Sequence, residues 1–106
     1  MFARTVTMNL KADSSAEFTR TLENQIIPVL RKRKGFRDEI TLLGPRRTEA
    51  VAISFWDQIE NADAYAREVY PEVLRTLAKI VEGTPKVESY EVSNSTFHEI
   101  AARTAA

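Results

Sequence analysis

Apolar and polar residues alternate along the opening stretch of the chain. Val6, Met8 and Leu10 fall on one side of an extended backbone, and Thr5, Thr7 and Asn9 on the other. Residues 2–11 therefore read as a half-buried strand. At residue 14 the period changes to that of a helix. Ser14 with Glu17 three residues later forms a capping box, and Phe18, Leu22, Ile26, Val29 and Leu30 follow as an apolar stripe. Pro28 lies inside that stripe, where it removes a backbone donor and crowds the carbonyl of Asn24, so a kink or an irregular last turn is expected. Arg31, Lys32, Arg33 and Lys34 meet the negative end of the helix dipole, and Gly35 supplies a left-handed stop.

The second half repeats the scheme. Residues 36–43 form a strand with Ile40 and Leu42 on the face shared by Phe36. Gly44-Pro45-Arg46-Arg47 breaks it, and residues 48–56 return as the second arm of an antiparallel hairpin. In that arm Val51, Ile53 and Phe55 face one way, and Ala52, Ser54 and Trp56 the other. Asp57 is placed to cap the next helix, with Glu60 three residues on. The helical region 58–81 is divided by Pro71, which fits the first position of a new helix, so one helix should end near residue 69 and another begin at 71. Val73, Leu74, Leu77, Ile80 and Val81 give the latter its apolar face. Gly83 and Pro85 should end it, and residues 86–97 read as a last strand, with Tyr90 and Val92 opposing Ser89 and Glu91. Residues 1–98 then make one domain, and 99–106 an alanine-rich tail, frayed or weakly docked.

The order strand–helix–strand–strand–helix–strand is the split βαβ, or ferredoxin-like, α+β arrangement: a four-stranded antiparallel sheet with its helices on one face. Parity suggests that Val6/Met8/Leu10, Ile40/Leu42 and Val51/Ile53/Phe55 all face the helices. Thr5/Thr7/Asn9, Thr41/Leu43, Ala52/Ser54 and Ser89/Glu91 would form a second, small and polar face, either wet or paired with another subunit.

Composition narrows the function. Fifteen basic residues balance fifteen acidic ones, so no net field draws nucleic acid or an anionic membrane. The absence of cysteine excludes disulfides, thiolate metal sites and cysteine nucleophiles, and fits a cytoplasmic protein. There is no signal-peptide pattern at the N-terminus, and no apolar run reaches the ~20 residues of a membrane helix. Glycine-rich phosphate loops, serine–histidine–acid sets and metal-ligand clusters are missing from the sequence, and no cofactor is expected. The cationic run before Gly35-Phe36 opens like an RNA-recognition signature. However, Arg37-Asp38-Glu39-Ile40 puts acids where stacking rings should stand, and a cationic helix end accounts for it better.

Three stretches carry a resemblance: the opening strand, Lys34-Gly35-Phe36 at the start of strand two, and Phe55-Trp56-Asp57 followed by Asn61-Ala62-Asp63-Ala64-Tyr65. Together they resemble the antibiotic biosynthesis monooxygenase-like family of dimeric α+β barrels over residues 2 to 97. The resemblance implies a homodimer whose sheets face each other, with a pocket between sheet and helices in each subunit. It also implies a small aromatic or quinone-like ligand, oxygenated without metal or flavin in some members, while others degrade haem. A haem-degrading member would offer a histidine from the second helix. Residues 58–82 contain none, and the single histidine, His98, stands at the exit of the last strand, where an exposed residue is expected.

Cofactor-free oxygenation needs a substrate that becomes an electron-rich anion, held in a dry cavity by a base or hydrogen-bond donors. Asn9, Tyr65, Arg67 and Tyr70 are candidates to surround such a ligand, although Arg67 also has Asp63 four residues earlier as a surface partner. Trp56 either walls the pocket or fills the gap between the sheet edge and the second helix; the two roles can coexist. A non-enzymatic dimeric binding or stress-related protein of the same fold fits these residues as well.

Overall fold

The structure, a computed structural model, describes residues 1–97. His98 and the alanine-rich tail lie outside the described residues. Strand β1 (Phe2–Leu10) is followed by helix α1 (Ser15–Thr21), a π-helical turn (Leu22–Ile26) and helix α2 (Ile27–Arg31). Then come β2 (Phe36–Leu43), β3 (Glu49–Trp56), α3 (Ile59–Glu68), α4 (Tyr70–Leu77) and β4 (Val81–Glu91). The four strands form one antiparallel sheet in the order β2-β3-β1-β4. This is the ferredoxin-like arrangement, with the first strand in the middle and the hairpin on one side. No described helix is long and apolar enough to cross a membrane.

Pro28 and Pro71 act where the spacing places them, each by its own route. Pro28 stands at the start of α2, and the turn before it widens to i→i+5 bonding. A π turn absorbs the donor a proline lacks without ending the helix, so the apolar stripe stays aimed at the sheet. Pro71 is near the start of α4, and the irregular Val69 (φ −120°, ψ −40°) separates α4 from α3. Ser14 occupies the cap position of α1, but its Oγ turns back to the carbonyl of Ala12 instead of bonding an amide of the first turn. At α3 the cap is Gln58, one residue beyond Asp57.

Two face assignments expected from the sequence are corrected, the first of them by a β-bulge. Phe36 pairs with Trp56 and Asp38 with Phe55, so two steps along β2 match one step along β3. The extra residue inverts the parity of β2: Phe36 stays on the helix side with Glu39, while Ile40 and Leu42 turn to the open face. On β3 the helix-facing residues are Ala50, Ala52, Ser54 and Trp56, because they lie across from Met8, Val6, Arg4 and Phe2. Val51, Ile53 and Phe55 therefore line the open face, opposite to the expected side. Burial decides this: Ala50 and Trp56 are fully buried, and Val51, Ile53 and Phe55 only partly.

The last strand also starts earlier than Gly83 and Pro85 suggest. Val81 pairs with Leu10 and Glu82 with Asn9, then a register shift lets the glycine and the proline bulge out before Lys86 meets Thr7. An edge strand tolerates both breakers, since one of its sides has no ladder bonds to lose. Beyond Glu91 the chain leaves the sheet, and the Phe97 ring meets Phe55 edge-on, centroids 6.2 Å apart, over the open face.

Candidate functional site

The strand–helix junction at Trp56 is a packed joint. The indole is fully buried. Its Nε1–H donates to Ser54 Oγ at 2.9 Å, which satisfies the one polar atom that burial would otherwise strand. Phe36 meets it edge-on with centroids 5.6 Å apart, and Tyr65 lies against it at 5.2 Å. Gly35 closes the joint from the side. Its backbone is left-handed (φ +81°), its carbonyl accepts from the Asp57 amide at 2.9 Å, and the Asp57–Asn61 side-chain pair fills the space a Cβ would need.

In front of that joint, between the sheet and the helices, is a cavity of about 40 Å³. Its walls are mostly apolar: Val6 and Met8 from β1, Leu22 and Ile26 from the π turn, Val73 and Leu77 from α4. Four polar residues enter it: Arg4, Glu39, Tyr65 and Tyr70, with the Ser54 hydroxyl behind. Arg4 lies in phase with Val6, Met8 and Leu10 and is buried with them at 6% exposure. Its guanidinium sits 4.2 Å from the centre of the Tyr70 ring and 5.5 Å from that of Tyr65, so the cation is held by ring faces. Burying a charge costs on the order of several kcal/mol unless something offsets it, so this position is not one that packing alone would select.

The neighbouring groups respond to the same environment. Burial raises the Tyr65 hydroxyl to a pKa of about 12, against a pull downward from Arg4 and a smaller push upward from Tyr70. Burial likewise raises Tyr70, with Arg4 opposing it. The Tyr70 hydroxyl is enclosed, and Arg4 beside it opposes the rise both by its charge and by hydrogen bonding. Glu39 is raised above the usual carboxylate range, again by burial, partly offset by the Thr41 hydroxyl that donates to its Oε2. The cavity thus holds a fixed cation, two neutral phenols and a carboxyl group made more basic than usual. Among the described residues there is no cluster of histidine, cysteine or acidic side chains able to hold a metal ion.

The structure brings together some of the residues selected from sequence. Tyr65 and Tyr70 line the cavity, and Trp56 lies one layer behind it, against Tyr65. Asn9 is exposed near the end of β1, on the open face, and Arg67 is exposed on α3; neither borders the cavity. Arg4 and Glu39 escaped the sequence reading. Arg4 carried a usable signal, being a charge in phase with the buried side of β1. Glu39 did not, because only the bulge at Phe36/Asp38 turns it inward.

The sequence matches no protein-family model and no curated protein. Solved structures do match. A Streptomyces coelicolor monooxygenase in complex with nanaomycin D superposes with a TM-score of 0.76 at 15% identity, covering 91% of this chain and 90% of that one. Antibiotic biosynthesis monooxygenase structures from Bordetella bronchiseptica (TM-score 0.73, 12% identity, 86% of this chain and 95% of that one covered) and Deinococcus radiodurans (0.73, 16%, 90% and 95%) also superpose. The chain has the antibiotic biosynthesis monooxygenase fold. At these identities the likeness concerns the path of the backbone, and the chemistry must be argued from this chain's own side chains. Within the monooxygenase-like fold, those side chains are the ring faces of Tyr65 and Tyr70, the Arg4 cation and the Glu39 carboxyl.

Proposed function

We propose that this protein is a homodimeric α+β barrel that binds a small aromatic or quinone-like molecule between its sheet and helices and oxygenates it without a cofactor. The observation that carries this reading is the cavity itself: apolar walls, two tyrosine ring faces and a few converging polar groups, the composition of a small-molecule site. A structural neighbour that holds nanaomycin D supports it. In the proposed reaction Glu39 accepts a proton from an activated methylene of a phenolic substrate. The resulting electron-rich anion reduces dioxygen, so that CH₂ becomes C=O, one oxygen atom staying on the substrate and the other leaving as water. A base whose pKa is raised by burial is better matched to that step near neutral pH than an ordinary carboxylate.

The free space of about 40 Å³ is room for a few waters, so an aromatic ligand enters only if side chains give way. Tyr70 and Val73 on α4, which follows the irregular Val69, are the proposed moving wall. The dimer is supported by the open sheet face, where Ile40, Leu42, Val51, Ile53, Phe55 and Tyr90 gather on one side. Leu42 is 52% exposed and Tyr90 51% in the single chain, a patch whose apolar area favours a partner.

Oxygen uptake with a panel of reduced polyphenols tests the reaction. The wild type should consume oxygen with at least one of them, and Glu39→Gln should lower kcat about 100-fold. Uptake unaffected by that substitution would remove Glu39 as the base. Binding without any uptake would leave a non-enzymatic binding protein of the same fold.

A further inference from the structure

Glu39 stands in the wall between two spaces. On one side it lines the cavity, with Arg4, Tyr65 and Tyr70; on the other it lines an outer groove beside the edge strand β2, with Arg31, Arg37 and Asp38. Those are the charged and titratable groups that share these spaces with it, from β1, α3, α4, α2 and its own strand. From β3 comes the neutral Ser54, directly across from Glu39 in the sheet. A glutamate side chain turns about several bonds, so a place in the wall does not by itself aim the carboxyl. One bond does. The Thr41 hydroxyl donates to Glu39 Oε2, and among the described residues it is the one hydrogen bond this carboxyl accepts. The bulge at Phe36/Asp38 makes it possible. Past the bulge Glu39 and Thr41 fall on the same side of β2, two residues apart, across from Ser54 and Ala52. Thr41 is half-buried and does not itself border the cavity, so anything it does for a ligand it does through Glu39.

We infer that Thr41 is the positioning residue of the Glu39 base: its hydroxyl fixes Oε2 and leaves Oε1 as the oxygen that takes the proton. This rests on the reading that Glu39 deprotonates a phenolic substrate in the cavity, and it adds what aims the carboxylate. In that step a C–H bond of the methylene breaks, its electron pair stays with the substrate, and the proton forms an O–H bond on Oε1. The same proton later returns to the reduced oxygen, since the conversion of CH₂ and O₂ to C=O and water releases none. A base that takes a proton and gives it back must keep one orientation through both steps, which is what a tethered oxygen provides. The hydroxyl has a second effect. A donor to a carboxylate favours the charged form, so Thr41 offsets part of the rise that burial imposes on Glu39. Without it, a smaller fraction of molecules would hold the base ionised near neutral pH.

The test follows one carboxyl and one rate across pH. Carbon-13 NMR observes the Glu39 carboxyl, its signal assigned by its loss in Glu39→Gln. Thr41→Val removes the hydroxyl and keeps the branched shape that suits a strand. It should raise the Glu39 midpoint by about one pH unit, the effect of losing a hydrogen bond to a charged group. In oxygen uptake with a polyphenol that the wild type accepts, the acid limb of the kcat profile should move up by the same amount. The variant's kcat then falls about tenfold on the acid side and meets that of the wild type at alkaline pH, with KM within about twofold. Thr41→Ser, which restores the hydroxyl, should return both curves to their wild-type positions. Thr41→Ala should give the valine result if the valine variant fails to fold. An unmoved midpoint, or a kcat lowered equally at every pH, would overturn this role, because a general loosening of β2 would act that way. A midpoint that moves in a protein consuming no oxygen with any polyphenol would leave the Thr41 tether standing and overturn the oxygenation it was meant to serve.

Discussion

Gly35→Ala should destabilise the protein by about 3 kcal/mol or more, at a position that touches neither the cavity nor any charged network of it. Two costs add. The backbone at Gly35 has φ +81°, a conformation that an L side chain adopts only under strain of about 1–3 kcal/mol. A new Cβ would also lie 2.2 Å from Asp57 Oδ1, 2.4 Å from Asn61 Nδ2 and 2.8 Å from Asn61 Cβ. The first two atoms end short side chains that bond each other at 2.9 Å, and the third is fixed to the first turns of α3, so relief requires moving the helix start. Overpacking of that kind costs about 1–3 kcal/mol by itself. Urea denaturation measures the loss directly. A midpoint within error of the wild type would show that the junction between β2 and α3 is slack.

Trp56→Ala should cost about 3–5 kcal/mol, the range for deleting a large buried aromatic. The substitution empties the space between Phe36 and Tyr65 and leaves the buried Ser54 hydroxyl without the indole that donates to it. Against a total stability of about 5–15 kcal/mol for a domain of this size, that loss removes a large share. Because Trp56 and Gly35 serve the same joint, the double substitution should cost less than the sum of the two. Chemical denaturation followed by far-ultraviolet circular dichroism checks both statements. A loss below about 1 kcal/mol for Trp56→Ala would mean that the indole is replaceable filling. Since Tyr65 separates Trp56 from the cavity, any effect of the substitution on ligand binding is expected to come through displacement of that tyrosine.

The contrast between those two residues and Arg4 shows which parts of this protein can be read from its chain. Element order was legible because it depends on local signals: alternation in β1, a helical stripe from Phe18 to Leu30, and breaks at Gly35, Gly44 and Pro71. The residues that carry the resemblance, Gly35, Phe36, Trp56, Asp57 and Asn61, prove to be a mechanical assembly that locks β2 and β3 to α3. They therefore speak for fold, and hardly for chemistry. Face assignment was illegible on β2 and β3, since both sides of β3 are apolar and one bulged residue inverts everything beyond it on β2. That inversion hid Glu39, and it made the apolar open face look like the helix side. Arg4 lay in plain view on the correct face of β1, but alternation counts apolar residues and passes over a charge standing among them.

The open face and the cavity are joined in one expectation, a dimer with one aromatic ligand per subunit. Native mass spectrometry after exposure to 2-hydroxy-1,4-naphthoquinone tests it most directly. The predicted species is a dimer of about twice the 12.0 kDa chain, carrying up to two ligands. A monomer at micromolar concentration, or a dimer that retains no ligand, would contradict the account.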